Sequence, residues 1–135
     1  YVPNQGHGVK DLVRLISTLS EFHRRTKEGK VLPQLKWDFE HNGKSVNLTA
    51  SSAEPLKTFR VWTSSAATRD FRDAEWTDQI VAAEGEEYQR SLEIPEQGYL
   101  AAFAEAVYPA VPSPFFLSTN VVVLDTLGIA NTLPR

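Results

Sequence analysis

The stretch QLKWDFEHNGKSVNLTA (34–50) decides the fold, because apolar side chains occupy every second position on both sides of an Asn-Gly pair. These side chains are Leu35, Trp37 and Phe39, followed by Val46, Leu48 and Ala50. A period of two is that of a β-strand with one buried face. Asn-Gly is a strong hairpin signal, because both residues tolerate a positive φ. The stretch therefore predicts two antiparallel strands joined by a tight turn, with Trp37 in the core.

Further segments with strand character lie between turn-forming residues. They are KTFRVWT (57–63), residues 86–94, YLAAFAEAVY (99–108) and FFLSTNVVVL (115–124), with a short edge strand over 79–83. Alanine gives 99–108 a helical propensity, but the Gly98 and Pro109 boundaries and the aromatic ends favour a strand. We expect about six or seven antiparallel strands over 31–125, in a β-sandwich of the immunoglobulin or fibronectin type III style. The tail over 126–135 shows no clear period.

Residues 9–28 have a different period, because apolar side chains recur every three or four positions. They form one stripe of an amphipathic helix, made by Leu12, Leu15, Ile16, Leu19 and Phe22. Asp11 and Lys27 suit the helix dipole, and Gly29 and Pro33 end the helix. A small sandwich does not need such a helix, so we expect the stripe to pack on a domain upstream of Tyr1. One sheet of the sandwich, or a second copy of the chain in a homo-oligomer, is the alternative cover.

Composition excludes several classes of function. The 135 residues contain no cysteine, so a disulfide framework, a zinc–cysteine site and a cysteine nucleophile are excluded. The net charge of -3 argues against nucleic acid as the main partner, because phosphate binding requires a basic surface. No apolar run approaches the roughly 20 residues that span a bilayer. We predict no metal site and no cofactor, and we expect a chain that begins at Tyr1 to be part of a longer protein.

The segment YVPNQGHG (1–8) carries the residue with the clearest chemistry, His7 between two glycines. In α/β-hydrolases the catalytic histidine follows the last core strand and precedes the last helix, after the serine and the acid in chain order. Histidine suits this role because its pKa lies near neutrality, so that it accepts and returns a proton. The alternative is a surface histidine in a flexible N-terminal stretch.

Several stretches beyond this loop carry a family resemblance. With YVPNQGHG they are LPQLKW (32–37), RVWT (60–63), TRDFR (68–72) with Trp76, residues 98–108, and PFFLST (114–119). Together they resemble the C-terminal part of the PhoPQ-activated pathogenicity-related protein family, to which the autocrine proliferation repressor proteins of social amoebae are similar.

The resemblance implies a secreted or periplasmic protein with an α/β-hydrolase domain and a C-terminal β-sandwich. Residues 1–30 would be the histidine loop and last helix of that hydrolase domain, 31–125 the sandwich, and 126–135 a tail. Family members are expected to carry the nucleophile in a Ser-Lys-Arg-Gly elbow, and neither that sequence nor Gly-x-Ser-x-Gly occurs here. His7 would therefore act as general base for a serine upstream of Tyr1, with the acid also upstream. This chain alone would be inactive.

Two other groups of residues are candidate contact sites. They are Arg69, Asp70, Phe71 and Arg72 in one loop, and the tryptophans Trp62 and Trp76. The loop predicts an interdomain contact in which arginines pair with carboxylates of the hydrolase domain, and a local salt-bridged loop is the alternative. The two tryptophans are a candidate platform for sugar stacking, and packing in the core or at a domain interface is the alternative.

Two rival interpretations stay open. In one, the parent is a secreted interaction or signalling protein without catalytic activity, and the sandwich is its protein- or carbohydrate-binding module. In the other, the sandwich is independent and the helix is unrelated to any hydrolase. That interpretation requires the helix to bury its apolar stripe against the sandwich.

Overall fold

A computed structural model of the protein describes residues 1–5 and 11–130. Within these residues one helix, α1 (Leu12–Lys27), precedes ten strands. The strands are β1 (Leu35–Asn42), β2 (Ser45–Ser52), β3 (Thr58–Ala66), β4 (Thr77–Ile80), β5 (Ala83–Glu84), β6 (Glu87–Glu93), β7 (Tyr99–Tyr108), β8 (Phe115–Ser118), β9 (Val122–Asp125) and β10 (Gly128–Ile129). They form two antiparallel sheets, one in the order β1-β2-β6-β5 and the other in the order β10-β9-β7-β3-β4, with β8 also paired to β7. The prediction of a mainly β protein, a β-sandwich preceded by a helix, is confirmed.

The predicted hairpin is present, but its turn lies one residue further along than the Asn-Gly pair suggests. Asn42 pairs with Ser45, so the two turn residues are Gly43 and Lys44. Gly43 has a φ of 65°, whereas Asn42 keeps an extended conformation as the last residue of β1. A glycine with positive φ at the first turn position is the pattern of a type II′ turn, which also matches the twist of the strands.

The core lies between the two sheets. Its buried residues are Val46, Leu48, Ala50 and Leu92 from the first sheet, and Phe59, Val61, Ala102, Ala104, Ala106, Tyr108, Phe115, Val122 and Leu124 from the second sheet and its strand β8. Phe59 stacks on Tyr88 of the facing sheet with ring centroids 4.5 Å apart. These contacts bury one face of each sheet, as a sandwich requires.

Strand β7 is the centre of the larger sheet, and both of its faces are buried. It pairs with β3 on one side and with β8 and β9 on the other. Every residue over 101–108 is buried, which requires an apolar side chain at nearly every position. This tertiary context overrides the helical propensity of the alanines. Glu105 is the charged exception, and it is only 1% exposed.

The prediction of one continuous strand over 115–124 was wrong, because a β-bulge divides it. Ser118 pairs with Glu105 and Val122 pairs with Ala102, so three residues on one strand oppose two on β7. The Thr119 hydroxyl occupies the gap and accepts the backbone N–H of Ala104 at 2.9 Å. This division and the short edge strands raise the number of strands above the six or seven expected. The tail contributes one of them, β10.

Trp37 was wrongly predicted to lie in the core, since it is 42% exposed. Leu35 and Phe39 share its face and pack partly buried against the core. Strand β1 is an edge strand, and the indole reaches past this edge to donate its N–H to Asn120 Oδ1 at 2.5 Å. A period of two identifies the face of a strand, but it carries no information about distance from the edge of the sheet.

Replacing Gly98 by alanine should destabilise the protein more than the matched change at Gly43. Both glycines have positive φ, 70° and 65°, which costs alanine about 1–2 kcal/mol at either position. At Gly98 the added Cβ would also lie 2.7 Å from the carbonyl oxygen of Ala66, whereas at Gly43 it would meet no atom within 4 Å. We expect urea unfolding to show at least ~1 kcal/mol more loss for Gly98→Ala. Equal losses would contradict the close approach.

Candidate functional site

Helix α1 contacts the sandwich through its polar face. Asp11 caps its N-terminus by accepting the backbone N–H of Arg14 at 3.0 Å. Arg14, Thr18 and Arg25 then follow one another along a single face of the helix, three to four residues per turn. Thr18 lies at the middle of this face, where its hydroxyl oxygen accepts the backbone N–H of Phe116 at 3.2 Å. The helix therefore lies against β8 with hydroxyl and guanidinium groups inward.

At the N-terminal end of this face, Arg14 forms an ion pair with the buried Glu105. The guanidinium also lies 4.5 Å from the centroid of the Phe116 ring. Arg60 extends the charged group, with its Nε 3.6 Å from Glu105 and its Nη1 3.2 Å from Asp78. Burial lowers the pKa of Arg14. A buried charge is tolerated only when it is paired, so this ion pair fixes where the helix begins on the sheet.

At the C-terminal end, Arg25 holds the helix through a two-point contact with Glu54, and both N–O distances are 2.8 Å. The guanidinium also lies 5.4 Å from the centroid of the Phe115 ring. Glu21 is buried and receives hydrogen bonds from Arg24 and Arg25. The hydrogen bonds from Arg24, more than those from Arg25, lower the pKa of Glu21 to about 2 despite its burial.

The apolar stripe faces away from the sandwich as a result. Its side chains are all exposed, at 54% for Leu12, 38% for Leu15, 58% for Ile16, 57% for Leu19 and 54% for Phe22. The stripe therefore finds no cover in the parts of the chain that the structure describes. The interpretation of an independent sandwich with an unrelated helix is wrong, because it required this stripe to be buried against a sheet.

The N-terminal segment is attached to the sandwich by Asn4. The Asn4 amide donates to the carbonyl oxygen of Trp76 at 2.7 Å and accepts the backbone N–H of Trp76 at 2.8 Å. Val2–Gln5 and Phe71–Trp76 line a groove of about 560 Å³ at this point. His7, the predicted catalytic residue, belongs to residues 6–10 and lies outside the described residues.

Trp62 and Trp76 lie in an aromatic cluster on the outer face of the larger sheet. Phe103 is the centre of the cluster, with ring centroids 5.3 Å from Trp76, 6.4 Å from Trp62 and 5.0 Å from Tyr1. Phe71 packs on Trp76 at 6.4 Å. The two tryptophans are partly buried, and both rings pack on Phe103. The structure thus brings the predicted tryptophans and Phe71 together with the N-terminal segment.

The charged residues of the predicted interdomain loop make contacts within the chain. Arg72 binds Asp70 at 2.5 Å, and this hydrogen bond holds the pKa of Asp70 at about 2. Arg69 donates to the carbonyl oxygen of Ala130 at 3.2 Å. Both arginines and Asp70 are exposed, so a contact with another domain stays a prediction.

Two important residues of this region were not predicted from the sequence. Glu105 is the one charged side chain within the apolar run 99–108, and this isolation was a usable signal of a buried ion pair. Asn4 carried no such signal, because its partner is the backbone of a residue 72 positions away.

Across residues 1–5 and 11–130, no group of three or more histidine or acidic side chains is arranged to hold a metal ion. In the same ranges, no helix is both long enough and apolar enough to cross a membrane.

The sequence matches the model of one known protein family. The family model of the PhoPQ-activated pathogenicity-related protein matches residues 1–72, which is more than half of the sequence. The chain belongs to this family. The match contains the whole segment from Tyr1 through α1 and β3 to Arg72. The resemblance of the later strands of this PhoPQ-related chain stays a sequence prediction.

The chain was also compared with curated proteins and with solved structures. No match was found among curated proteins. Among solved structures, the crystal structure of a Br derivative of BhCBM56 aligns with a TM-score of 0.47 and 10% sequence identity, over 70% of this chain and 95% of the other. A likeness at this level carries no argument about function.

Acidification should destabilise α1, because Glu21 pairs with two arginines of the same helix. The pKa of Glu21 is about 2 in the folded chain, against 4.5 ordinarily. A lowered pKa means that the carboxylate stabilises the fold fully above about pH 4.5, and that this stabilisation is lost as the pH falls through about 2. The hydrogen bond from Arg25 also lowers the pKa of Glu54. Protonation of Glu54 at low pH therefore weakens the contact between α1 and the sandwich.

Amide hydrogen exchange of α1 between pH 6 and pH 2 measures this effect. We expect the protection factors of the α1 amides, which correct for the intrinsic pH dependence of exchange, to be lower in Glu21→Gln than in wild type at pH 6 and to depend less on pH. A variant that follows the wild-type curve throughout would contradict the role of this carboxylate.

Proposed function

We propose that the chain is the C-terminal part of an exported serine-hydrolase-like protein, in which α1 packs between the sandwich and an upstream α/β-hydrolase domain. The observation that carries this proposal is the orientation of α1, which places charged residues inward and the apolar stripe outward. The polar face of α1 already contacts the sandwich. The apolar stripe is therefore buried only if another domain or chain covers it. Residues 1–72 match the PhoPQ-related family, and the resemblance to that family implies that the second body is an α/β-hydrolase domain.

The stripe has the properties of an interface core. Its five side chains are aliphatic or aromatic, and they follow the helix for three turns without an intervening charge on that face. The side chains are already about half buried, so covering the exposed part of each would contribute about 1 kcal/mol. A continuous exposed stripe of this composition is typical of a contact with another domain or chain. We assign residues 1–30 to the boundary of the hydrolase domain and 31–125 to the sandwich, whose larger sheet also includes β10 from the following residues.

In this proposal His7 is the general base of a serine triad. It accepts the proton of the serine hydroxyl as the oxygen attacks a carbonyl carbon, and then returns the proton to the leaving group. The serine and the orienting acid come from the upstream domain, so the present chain alone is inactive. Secretion or delivery to the periplasm is part of the proposal and rests on the resemblance of the family to exported proteins.

A fluorophosphonate probe tests the catalytic role in the parent protein. The probe forms a covalent bond only with an activated serine, so the wild-type parent should be labelled. The labelling rate of His7→Ala should be lower by about 100-fold or more. His41→Ala is the matched control, because His41 lies exposed on β1, away from α1, and should leave labelling unchanged. Equal labelling of wild type and His7→Ala would rule out the role of His7.

Paired substitutions on the stripe test the domain contact. Ile16→Ala with Leu19→Ala should change the free energy of unfolding of this chain by less than about 1 kcal/mol, because both side chains are more than half exposed. In the parent the same pair should cost about 2–5 kcal/mol per residue if the stripe is buried. A small effect in both proteins would contradict the proposed contact.

The exposed stripe also supports a second candidate function, a secreted interaction or signalling protein without catalysis whose sandwich is the binding module. A hydrolase-like domain that has lost its serine would cover the stripe equally well. Absence of labelling in the wild-type parent, together with a large cost of the paired substitutions, would favour this candidate. Self-association of the present chain that Ile16→Ala with Leu19→Ala weakens would instead identify a second copy as the cover.

A further inference from the structure

The surface of β7 that receives α1 contains a single charged side chain. Alternate residues of β7 belong to the core, so the remaining ones point to the outer face of the larger sheet, where Arg14 lies. These outward residues are Tyr99, Ala101, Phe103, Glu105 and Val107. Phe116 of β8 pairs with Val107 and shares this face. Glu105 is therefore one carboxylate, 1% exposed, within a mostly apolar surface.

The apolar stripe of α1 lies only a partial turn away from this surface. Leu15 and Leu19 directly follow the inward residues Arg14 and Thr18, so each lies about 100° further round the helix. Over its whole length the stripe is centred roughly a third of a turn from the inward face. A roll of that size about the helix axis would bring the stripe onto the outer face of β7 without unfolding either element.

The rolled arrangement would be favourable for every group except Glu105. The stripe would leave water and meet the apolar residues around this carboxylate. Arg14 would turn into solvent, where a guanidinium is well hydrated. Glu105 would stay buried without Arg14, and a buried charge that loses its partner is strongly unfavourable. Arg60 does not replace that partner, because its guanidinium also binds Asp78 and its Nε lies 3.6 Å from Glu105.

The second ion pair between α1 and the sandwich does not impose the same penalty. The side chain of Glu54 is 42% exposed, so Glu54 and Arg25 can both return to water when their contact is broken. Partly exposed pairs of this kind contribute little net stability. The choice between the two rotations of the helix therefore depends mainly on the carboxylate of Glu105.

We propose that Glu105 selects the rotation of α1. With the carboxylate present, the helix turns its arginines inward and leaves the apolar stripe uncovered. With an apolar side chain at position 105, the helix rolls and covers the stripe with its own sheet. The inference goes beyond the proposed function and does not depend on it, because it concerns this chain alone. Any body that covers the stripe meets a surface that one buried carboxylate keeps open.

The variant Glu105→Leu removes the charge and leaves an apolar side chain of similar volume. Arg14 needs no second substitution, since rolling carries it into solvent. Glu105→Gln is the matched control, because its amide oxygen still accepts a hydrogen bond from Arg14 and its amide group stays too polar for the stripe to cover. Arg14→Leu is a second control. It leaves the carboxylate in place, so it should weaken the attachment of the helix without rolling it.

Thiol alkylation of single cysteines measures the rotation, because the chain contains no cysteine of its own. Leu19→Cys replaces an exposed residue of the stripe, and Ser17→Cys replaces a partly buried residue on the other side of the helix. Adding Glu105→Leu should slow alkylation of the Leu19→Cys thiol about tenfold or more and accelerate that of the Ser17→Cys thiol. Ser91→Cys, exposed on β6 of the other sheet, should keep its rate.

Only opposite changes at the two helix positions support the proposal. Faster alkylation at both would show that α1 has detached, and unchanged rates at both would show that it keeps its rotation, so either result overturns it. Equal changes in Glu105→Gln and Glu105→Leu would also contradict the role of the charge. Faster alkylation of the Ser91→Cys thiol would reveal unfolding of the sandwich. Glu105→Met, which has an unbranched apolar side chain, then takes the place of Glu105→Leu with the same expected outcomes.

Discussion

The packing of α1 depends on two arginines that reach the sandwich from the polar face of the helix. Arg14 pairs with the buried Glu105, and Arg25 pairs with Glu54 while lying over the Phe115 ring. A helix normally buries its apolar stripe, and here these ion pairs and aromatic contacts hold it the other way round. Because a paired buried charge has a defined geometry, they fix the rotation of the helix about its axis, and so fix which side chains face outward.

The larger sheet carries both α1 and the N-terminal segment. Strand β7 is buried on both faces, so it carries the core on one side and Phe103 and Glu105 on the other. Glu105 receives α1, and Phe103 receives the rings of Tyr1 and Trp76. The helix and the N-terminal segment are therefore attached to one strand, two residues apart. This common attachment places Tyr1 and the inward face of α1 on the same face of the larger sheet.

Most of the fold could be predicted from local patterns. The hairpin at Gly43, the strand over 99–108 and the helix that ends near Gly29 all follow from side-chain period and turn chemistry, which act between residues close in sequence. The errors came from contacts distant in sequence. Trp37 lies at an edge that only the order of the strands defines, and the strand over 115–124 is divided by a bulge that depends on its register with β7.

The sequence by itself determined the fold class, the amphipathic character of α1 and the family, because each depends on residue types at short or recurring spacings. His7 is a candidate base on the same ground, through its glycine neighbours and the family motif. Only the tertiary structure decided that α1 turns its charged face inward and that Asn4 is joined to Trp76. Both depend on partners that are distant in sequence, Glu105 for the helix and the backbone of Trp76 for Asn4. The period of a helix or strand carries no information about which of its faces will contact such a partner.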